Sequence, residues 1–127
     1  ELNTQQSPNK PVKPLGEING KYREEYIYTT ITTDPQNDKI LYFFDWGDGT
    51  DSGWVGPFDS GVTVEASHKW TEKGSYSIRV KAKDMDGHES GWSDPLSVSM
   101  PKTKIINYFS IRFNWLFFLL DKLISIL

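Results

Sequence analysis

Residues 44–50 read Phe-Asp-Trp-Gly-Asp-Gly-Thr, and this short stretch decides how the rest of the chain is interpreted. The two glycines accept positive φ without steric cost, and the aspartate between them can bond neighbouring backbone amides, as tight turns between strands require. The run that leads into it, residues 39–46 (KILYFFDW), is aromatic, aliphatic and short, which is typical of a strand. The stretch therefore predicts the end of a β-strand followed by a tight turn.

The flanking sequence continues as short strands separated by turn-forming residues. In residues 75–84 (SYSIRVKAKD) apolar and polar residues alternate with a period of two, which predicts a strand with one face in the core and one in solvent. The predicted inward residues are Tyr76, Ile78, Val80 and Ala82, and the predicted outward residues are Ser77, Arg79, Lys81 and Lys83. Further strands are predicted at residues 25–33, 61–70 and 92–100, with residues 11–15 pairing at an edge. The sequence therefore predicts an all-β fold, a two-sheet antiparallel β-sandwich.

Two linked stretches resemble the signature of polycystic kidney disease (PKD) domains. Residues 44–50 are similar to the family's Trp-Asp-Phe-Gly-Asp-Gly-Thr, and residues 67–87 to its His-x-Tyr, Gly-x-Tyr-x-Val and Asp-x-x-Gly positions, with Trp70 replacing the usual tyrosine. The resemblance covers about residues 10–100 and implies an immunoglobulin-like fold, related to fibronectin type III domains, in a secreted or cell-surface protein. The structural positions that it implies are Asp45, Gly47, Asp48, Gly49, His68, Gly74, Tyr76, Asp84 and Gly87.

Charge and apolar content divide the chain near residue 101. Residues 1–100 carry 16 acidic and 10 basic residues, whereas residues 101–127 carry four basic residues and one acidic residue. Of the 23 residues from 105 to 127, 16 are Ile, Leu, Phe, Tyr or Trp. The predicted organisation is a flexible lead (residues 1–10), a sandwich (residues 11–100) and an appended segment (residues 101–127).

The appended segment is predicted to form a hydrophobic, amphipathic α-helix, because its polar residues recur at steps of three, four and seven. A helix over residues 105–127 would be about 34 Å long, enough to cross a hydrocarbon core of about 30 Å. Arg112, Asp121 and Lys122 oppose a span. The alternatives are a helix on a membrane surface, an intersubunit helix or one packed on its own sandwich. The predicted anchoring or assembly residues are Ile105, Phe109, Phe113, Trp115, Leu116 and Leu120.

Composition excludes several functional classes. The chain has no cysteine, so disulfides, thiolate nucleophiles and Cys-ligated metal sites are excluded. The chain has only two histidines, and it contains neither a Gly-x-Ser-x-Gly elbow nor a glycine-rich nucleotide motif. The sequence therefore offers no candidate catalytic centre, and no resident cofactor is predicted. The net charge of −3 and the lack of a basic, aromatic stripe argue against a nucleic-acid partner.

Two ligand hypotheses remain beside a purely structural role. Trp54 and Phe58 lie in residues 52–58, which are predicted to be an insertion after the turn whose rings either cover the core or bind carbohydrate. Trp70 and Trp92 are predicted to be exposed near loops as well. The second hypothesis is calcium, since the resembled family has members that bind it near strand ends. One candidate set of oxygen ligands lies between Lys39 and Lys69, where no basic residue interrupts Asp45, Asp48, Asp51, Asp59 and Glu65. A second is residues 84–89 (DMDGHE), and Asp34 and Asp38 could join Asp84 and Asp86 at one end of the sandwich.

The sequence thus predicts a non-catalytic interaction or structural module, extracellular or at the cell surface. Residues 102–127 would bind a membrane surface, a protein partner or a second copy of the chain. The alternatives are a carbohydrate-binding accessory module of a secreted hydrolase and a calcium-stabilised spacer.

Overall fold

The computed structural model describes residues 5–101. The predicted C-terminal helix, with its anchoring residues, lies outside the described residues. The described part of the chain contains six strands and no helix. They are β1 (Glu25–Thr30), β2 (Ile40–Asp45), β3 (Asp51–Phe58), β4 (Val64–Lys69), β5 (Gly74–Lys83) and β6 (Leu96–Met100).

The strands pair in two antiparallel sheets, which confirms the predicted all-β class. One sheet contains β1 and β4, and the other has the order β3-β2-β5-β6. In the larger sheet Tyr42 lies opposite Ala82, and Phe44 opposite Val80. Because side chains alternate along a strand, this register places both pairs on the face that meets the smaller sheet.

The core lies between the sheets and is rich in aromatic rings. Ile78, Val80 and Ala82 are fully buried, as the period of two in β5 predicts, and Tyr76 packs against them half-buried. The prediction that Trp70 is exposed is wrong, since its side chain is fully buried. Trp70 directly follows β4, and its ring packs edge-on against those of Tyr28 (5.7 Å between centroids) and Trp46 (6.3 Å).

An extended N-terminal segment, residues 9–20, connects the two sheets. Leu15 exchanges two backbone hydrogen bonds with Thr29 of β1, each of 2.9 Å, and the N–H of Gly20 donates to the carbonyl of Ser99 in β6 (3.0 Å). The predicted edge pairing of residues 11–15 is thus limited to a bridge at Leu15 and a hydrogen bond of 3.1 Å from the N–H of Val12 to the carbonyl of Ile31. The prolines of this segment explain the limit, because they have no N–H to donate.

β3 is the strand that the sequence analysis interpreted as an insertion, and that prediction is wrong. Phe43 of β2 pairs with Trp54, and Ile40 pairs with Phe58, with an extra β3 residue between these pairs. Such a bulge reverses the inside–outside alternation of a strand. Trp54 therefore lies on the outer face beside Phe43, whereas Phe58 packs inward against the core.

Candidate functional site

The Gly-Asp-Gly turn joins β2 to β3 and lies against β5. Gly47 has a φ of 79°, and a Cβ at this position would lie only 2.5 Å from the carbonyl oxygen of Ser77. Gly49 has a similar φ of 88°, but nothing lies within 4 Å of a Cβ there. Asp45 closes the start of the turn by accepting the N–H of Gly47 at 3.0 Å. Position 47 thus requires glycine for space as well as for backbone conformation.

Asp48, at the tip of the turn, links it to the smaller sheet through His68 of β4. The Oδ2 of Asp48 lies 2.8 Å from the Nε2 of His68, and its Oδ1 accepts the N–H of Thr50 at 3.0 Å. Burial raises the pKa of Asp48, but the hydrogen bonds from Thr50 and His68 outweigh it and hold that pKa below its ordinary value. The imidazole is stacked on Trp46 at 4.8 Å and meets Trp70 edge-on at 4.8 Å. The Asp48–His68 pair therefore connects the larger sheet, through its Gly-Asp-Gly turn, to the smaller sheet.

The other predicted motif residues form turns around β5. Gly74 begins the strand, and the hydroxyl of Tyr76 donates to the carbonyl of Glu72 at 2.7 Å. Gly87 has a φ of 93° in the turn that follows the strand. The Oδ1 of Asp84 closes that turn by accepting the backbone N–H groups two and four residues further on, both at 2.9 Å. The motif therefore shapes turns at both ends of β5.

Three acidic side chains converge at the other end of β2 from the Gly-Asp-Gly turn. Asp34, Asp38 and Asp84 each place a carboxylate oxygen within 4.8 Å of the other two. Asp34 and Asp84 are 6% and 1% exposed. The Oδ2 of Asp34 is buried without a hydrogen-bond partner, whereas the amide of Gln5 donates to Asp38 and, at 3.4 Å, to Asp84. We call these three aspartates the acidic cluster.

Asp84 is also bonded to His88. The Nδ1 of His88 lies 2.9 Å from the Oδ2 of Asp84. Burial raises the pKa of Asp84, but hydrogen bonds from His88, Gln5 and the backbone outweigh burial and hold the pKa below its ordinary value. Asp86, the fourth predicted ligand, is exposed and groups with Asp84 and His88 instead of joining the cluster. The structure thus brings together three of these four acidic residues. The other candidate set does not form such a group within residues 5–101; its members are Asp45, Asp48, Asp51, Asp59 and Glu65.

Aromatic rings and basic side chains cover the outer face of β3, β2 and β5. The ring centroids of Phe43 and Trp54 lie 5.3 Å apart, and those of Phe43 and Trp92 6.2 Å apart. Basic groups from β5 lie over these rings at 4.1 to 5.6 Å from the centroids. We call this surface the cation–aromatic strip; its members are Phe43, Trp54, Trp92, Arg79, Lys81 and Lys83.

The sequence pointed to Trp54 but not to the strip, and the expectation that no basic residues lie among aromatic rings is wrong. The alternation in β5 predicts that its basic residues face away from the core, without saying which side chains lie beside them. The signal lay in Phe43, an outward aromatic residue in the neighbouring strand. Phe58, the other residue of the predicted ligand surface, is on the opposite face, so a carbohydrate site would involve Trp54 with Phe43 and Trp92 instead.

Comparisons with known proteins support this architecture. The sequence profile of the PKD domain matches residues 11–100. A solved structure, the PKD domain of an M14-like peptidase from Thermoplasmatales archaeon SCGC AB-540-F20, is 45% identical in sequence with a TM-score of 0.72. The alignment covers 78% of this chain and 100% of that chain. Among curated proteins, none matches this chain.

The two packed sheets, with the Asp48–His68 link between them, define an immunoglobulin-like β-sandwich. The matches to the profile and to the solved structure make the assignment more particular. The chain belongs to the PKD-domain family, as the two sequence motifs predict.

Proposed function

We propose that this PKD domain is a non-catalytic module of an extracellular or cell-surface protein, and that residues 102–127 associate with a membrane surface or with another protein chain. PKD domains are typical of secreted and surface proteins. Both histidines, His68 and His88, are bonded to carboxylates that shape turns, which supports a structural role for them.

The composition of the segment that follows β6 carries the proposal. β6 lies at one edge of the larger sheet and ends at Met100. Of the 23 residues from 105 to 127, 16 are apolar or aromatic, and residues 101–127 together have an excess of three basic residues. Such a segment gains free energy by leaving water for a lipid surface or a protein interface. Within residues 5–101, no helix is long and apolar enough to span a bilayer.

Paired glutamate substitutions in the whole chain test the role of this segment. Phe113→Glu with Leu116→Glu would place two charges among the predicted anchoring residues. Ser110→Glu with Asn114→Glu would add the same charges at polar positions. Flotation with anionic vesicles and sedimentation without lipid would measure both kinds of association. We expect the first pair to reduce association about tenfold or more and the second to change it less than threefold, since only the first buries charge.

Two results would contradict the proposal. One is a parent chain that stays monomeric without lipid and does not float with vesicles. The other is an equal loss of association in both variant pairs, which would show that the apolar positions have no special role.

The acidic cluster favours a second function, stabilisation of the domain by calcium. Calcium takes six to eight oxygen ligands, mostly carboxylates and carbonyls. The cluster fits this demand, because three carboxylates converge and Asp34 has a buried oxygen without a partner. Asp34, Asp38 and Asp84 would hold the ion, and the side-chain amide of Gln5 lies beside them. A bound ion would neutralise the repulsion among these carboxylates in the folded state.

Thermal unfolding at increasing calcium concentration tests this second function. A ligand that binds only the native state raises the midpoint by an amount that grows with its concentration. We expect such a rise in the parent chain and its loss in Asp34→Asn. Asp59→Asn is the matched control, because Asp59 pairs with Lys39 on the surface. This site would be ruled out if millimolar calcium leaves the unfolding midpoint of the parent chain unchanged, or if the rise persists in Asp34→Asn.

A further inference from the structure

We propose that the cation–aromatic strip binds an extended polypeptide segment with acidic residues at alternate positions. Arg79, Lys81 and Lys83 occupy alternate positions of β5, so they lie on one face at intervals of about 6.6 to 6.8 Å. An extended peptide repeats its side chains on one face at the same interval. Alternate carboxylates in such a segment would therefore match the three basic groups one to one.

The rings hold the basic groups in place for this interaction. The Nζ of Lys83 lies 4.3 Å from the ring centroid of Trp54, and the Cζ of Arg79 lies 4.1 Å from that of Trp92. Lys81 lies between them, 4.9 Å from the centroid of Trp92. A basic side chain that already rests on a ring has less rotamer freedom to lose when a carboxylate binds it. The strip is thus a preorganised, positively charged surface.

The charge of the strip contrasts with the rest of the domain. Residues 1–100 have an excess of six acidic residues, yet three of their ten basic residues lie together on β5. Asp45 bonds Arg79 at 3.0 Å and Glu89 bonds Lys81 at 2.8 Å, so these basic groups already bind carboxylates. The side chain of Glu89 is 45% exposed and an incoming carboxylate can displace it. Within residues 5–101, no carboxylate forms a salt bridge with Lys83.

The shape of the surface suits an extended chain. Beside Trp92 and Arg79 the strip continues into an open cleft with a cavity volume of about 480 Å³. The rest of its lining is Asp45, Gly47, Ser77, Ser93 and Pro95, and the Asp45 carboxylate there is already bonded to Arg79. Neutral sugars stack on bare ring faces, whereas basic groups lie over the rings of the strip. The surface therefore favours a ligand that supplies negative charge at regular intervals over a neutral polysaccharide.

Two synthetic peptides of identical composition test the proposal on the whole chain. One alternates glutamate and threonine over ten residues, and its isomer has five glutamates followed by five threonines. We expect the alternating peptide to bind at least fivefold more tightly at low salt. Lys81→Glu and Lys83→Glu should each weaken its binding about tenfold, while Glu89→Gln should strengthen it by removing a competing carboxylate. Lys13→Glu, the same charge reversal away from β5, should change binding less than twofold.

The same titrations identify the results that would overturn the proposal. Equal affinity for the two peptides, or binding that Lys83→Glu leaves unchanged, would exclude recognition of alternate carboxylates by the strip. Tighter binding of polygalacturonate or of phosphatidylglycerol vesicles, lost in Lys83→Glu, would assign the strip to another class of polyanion. Lys83→Gln removes the charge without reversing it and should also weaken binding, which keeps the test valid if Lys83→Glu unfolds. All members of the strip lie within the sandwich, so we expect a chain ending at Met100 to bind the alternating peptide as the whole chain does.

Discussion

At the scale of single residues, the two glycines of the turn after β2 have different reasons to be glycine. Both have positive φ, but only Gly47 lies against the backbone of β5. Gly47→Ala should lower the free energy of unfolding by about 2 to 5 kcal/mol, because it adds a steric clash to the cost of a left-handed conformation. Gly49→Ala should cost only about 1 to 2 kcal/mol. Urea denaturation would measure both, and equal losses would show that the turn does not rest on β5.

The hydrogen bonds that Asp48 accepts predict a loss of stability in acid. Burial raises its pKa, but the bonds from Thr50 and His68 keep that pKa below the unfolded value of about 3.9. A lowered folded pKa adds stability above the unfolded pKa, and this stability is lost as the pH falls through the folded pKa. The free energy of unfolding of Asp48→Asn should therefore fall less steeply than that of the parent below about pH 4. Parallel pH curves would contradict this account.

At the scale of elements, β5 is central because it pairs with both β2 and β6. Ile78 is fully buried on its inner face, whereas Ser75 is exposed in the same strand. Ile78→Ala should lower the free energy of unfolding by about 2 to 5 kcal/mol. Ser75→Ala should change it by less than about 0.5 kcal/mol. Chemical denaturation of the pair checks the assignment of the two faces, and a larger loss in Ser75→Ala would show that the faces are reversed.

The contrast between β5 and β3 shows which strands the sequence could predict. β5 alternates without interruption, so its inward residues follow from the period of two. β3 contains Gly53, Gly56 and Pro57, and two register shifts break its alternation against β2. A period-two search cannot follow a strand through bulges. The extent of β3 and the inward position of Phe58 therefore depended on pairing that only the folded structure shows.

The candidate sites differ in how much of each could be predicted from the sequence. The convergence of Asp34, Asp38 and Asp84 was expected because all three lie at ends of predicted strands, where some members of the resembled family bind calcium. Gln5 was not expected there, since nothing in a polar N-terminal stretch says where it folds back. The cation–aromatic strip was missed because it depends on the register between β2 and β5, and register is not visible in either strand alone.

At the scale of the whole molecule, the acidic cluster and the exit of the C-terminal segment lie at opposite ends. Met100 pairs with Gly74 at the start of β5, and Asp84 follows Lys83 at its end. Ten residues of strand separate these points by about 30 Å. Effects of distant, independent sites on stability add. A calcium-induced rise in the unfolding midpoint should therefore be the same in the parent and in Phe113→Glu with Leu116→Glu. A different rise of the midpoint in the variant would show that the C-terminal segment and the acidic cluster are energetically coupled.

The central claim is that residues 11–100 form a self-contained domain and residues 102–127 carry its association. The most direct measurement compares amide NMR spectra and sedimentation of the whole chain and of a chain ending at Met100, in the same mild detergent for the spectra. We predict that cross peaks of residues 11–95 keep their positions while association disappears from the shorter chain. Shifts spread over one face of the sandwich, or loss of peak dispersion, would instead show that the segment packs on its own domain.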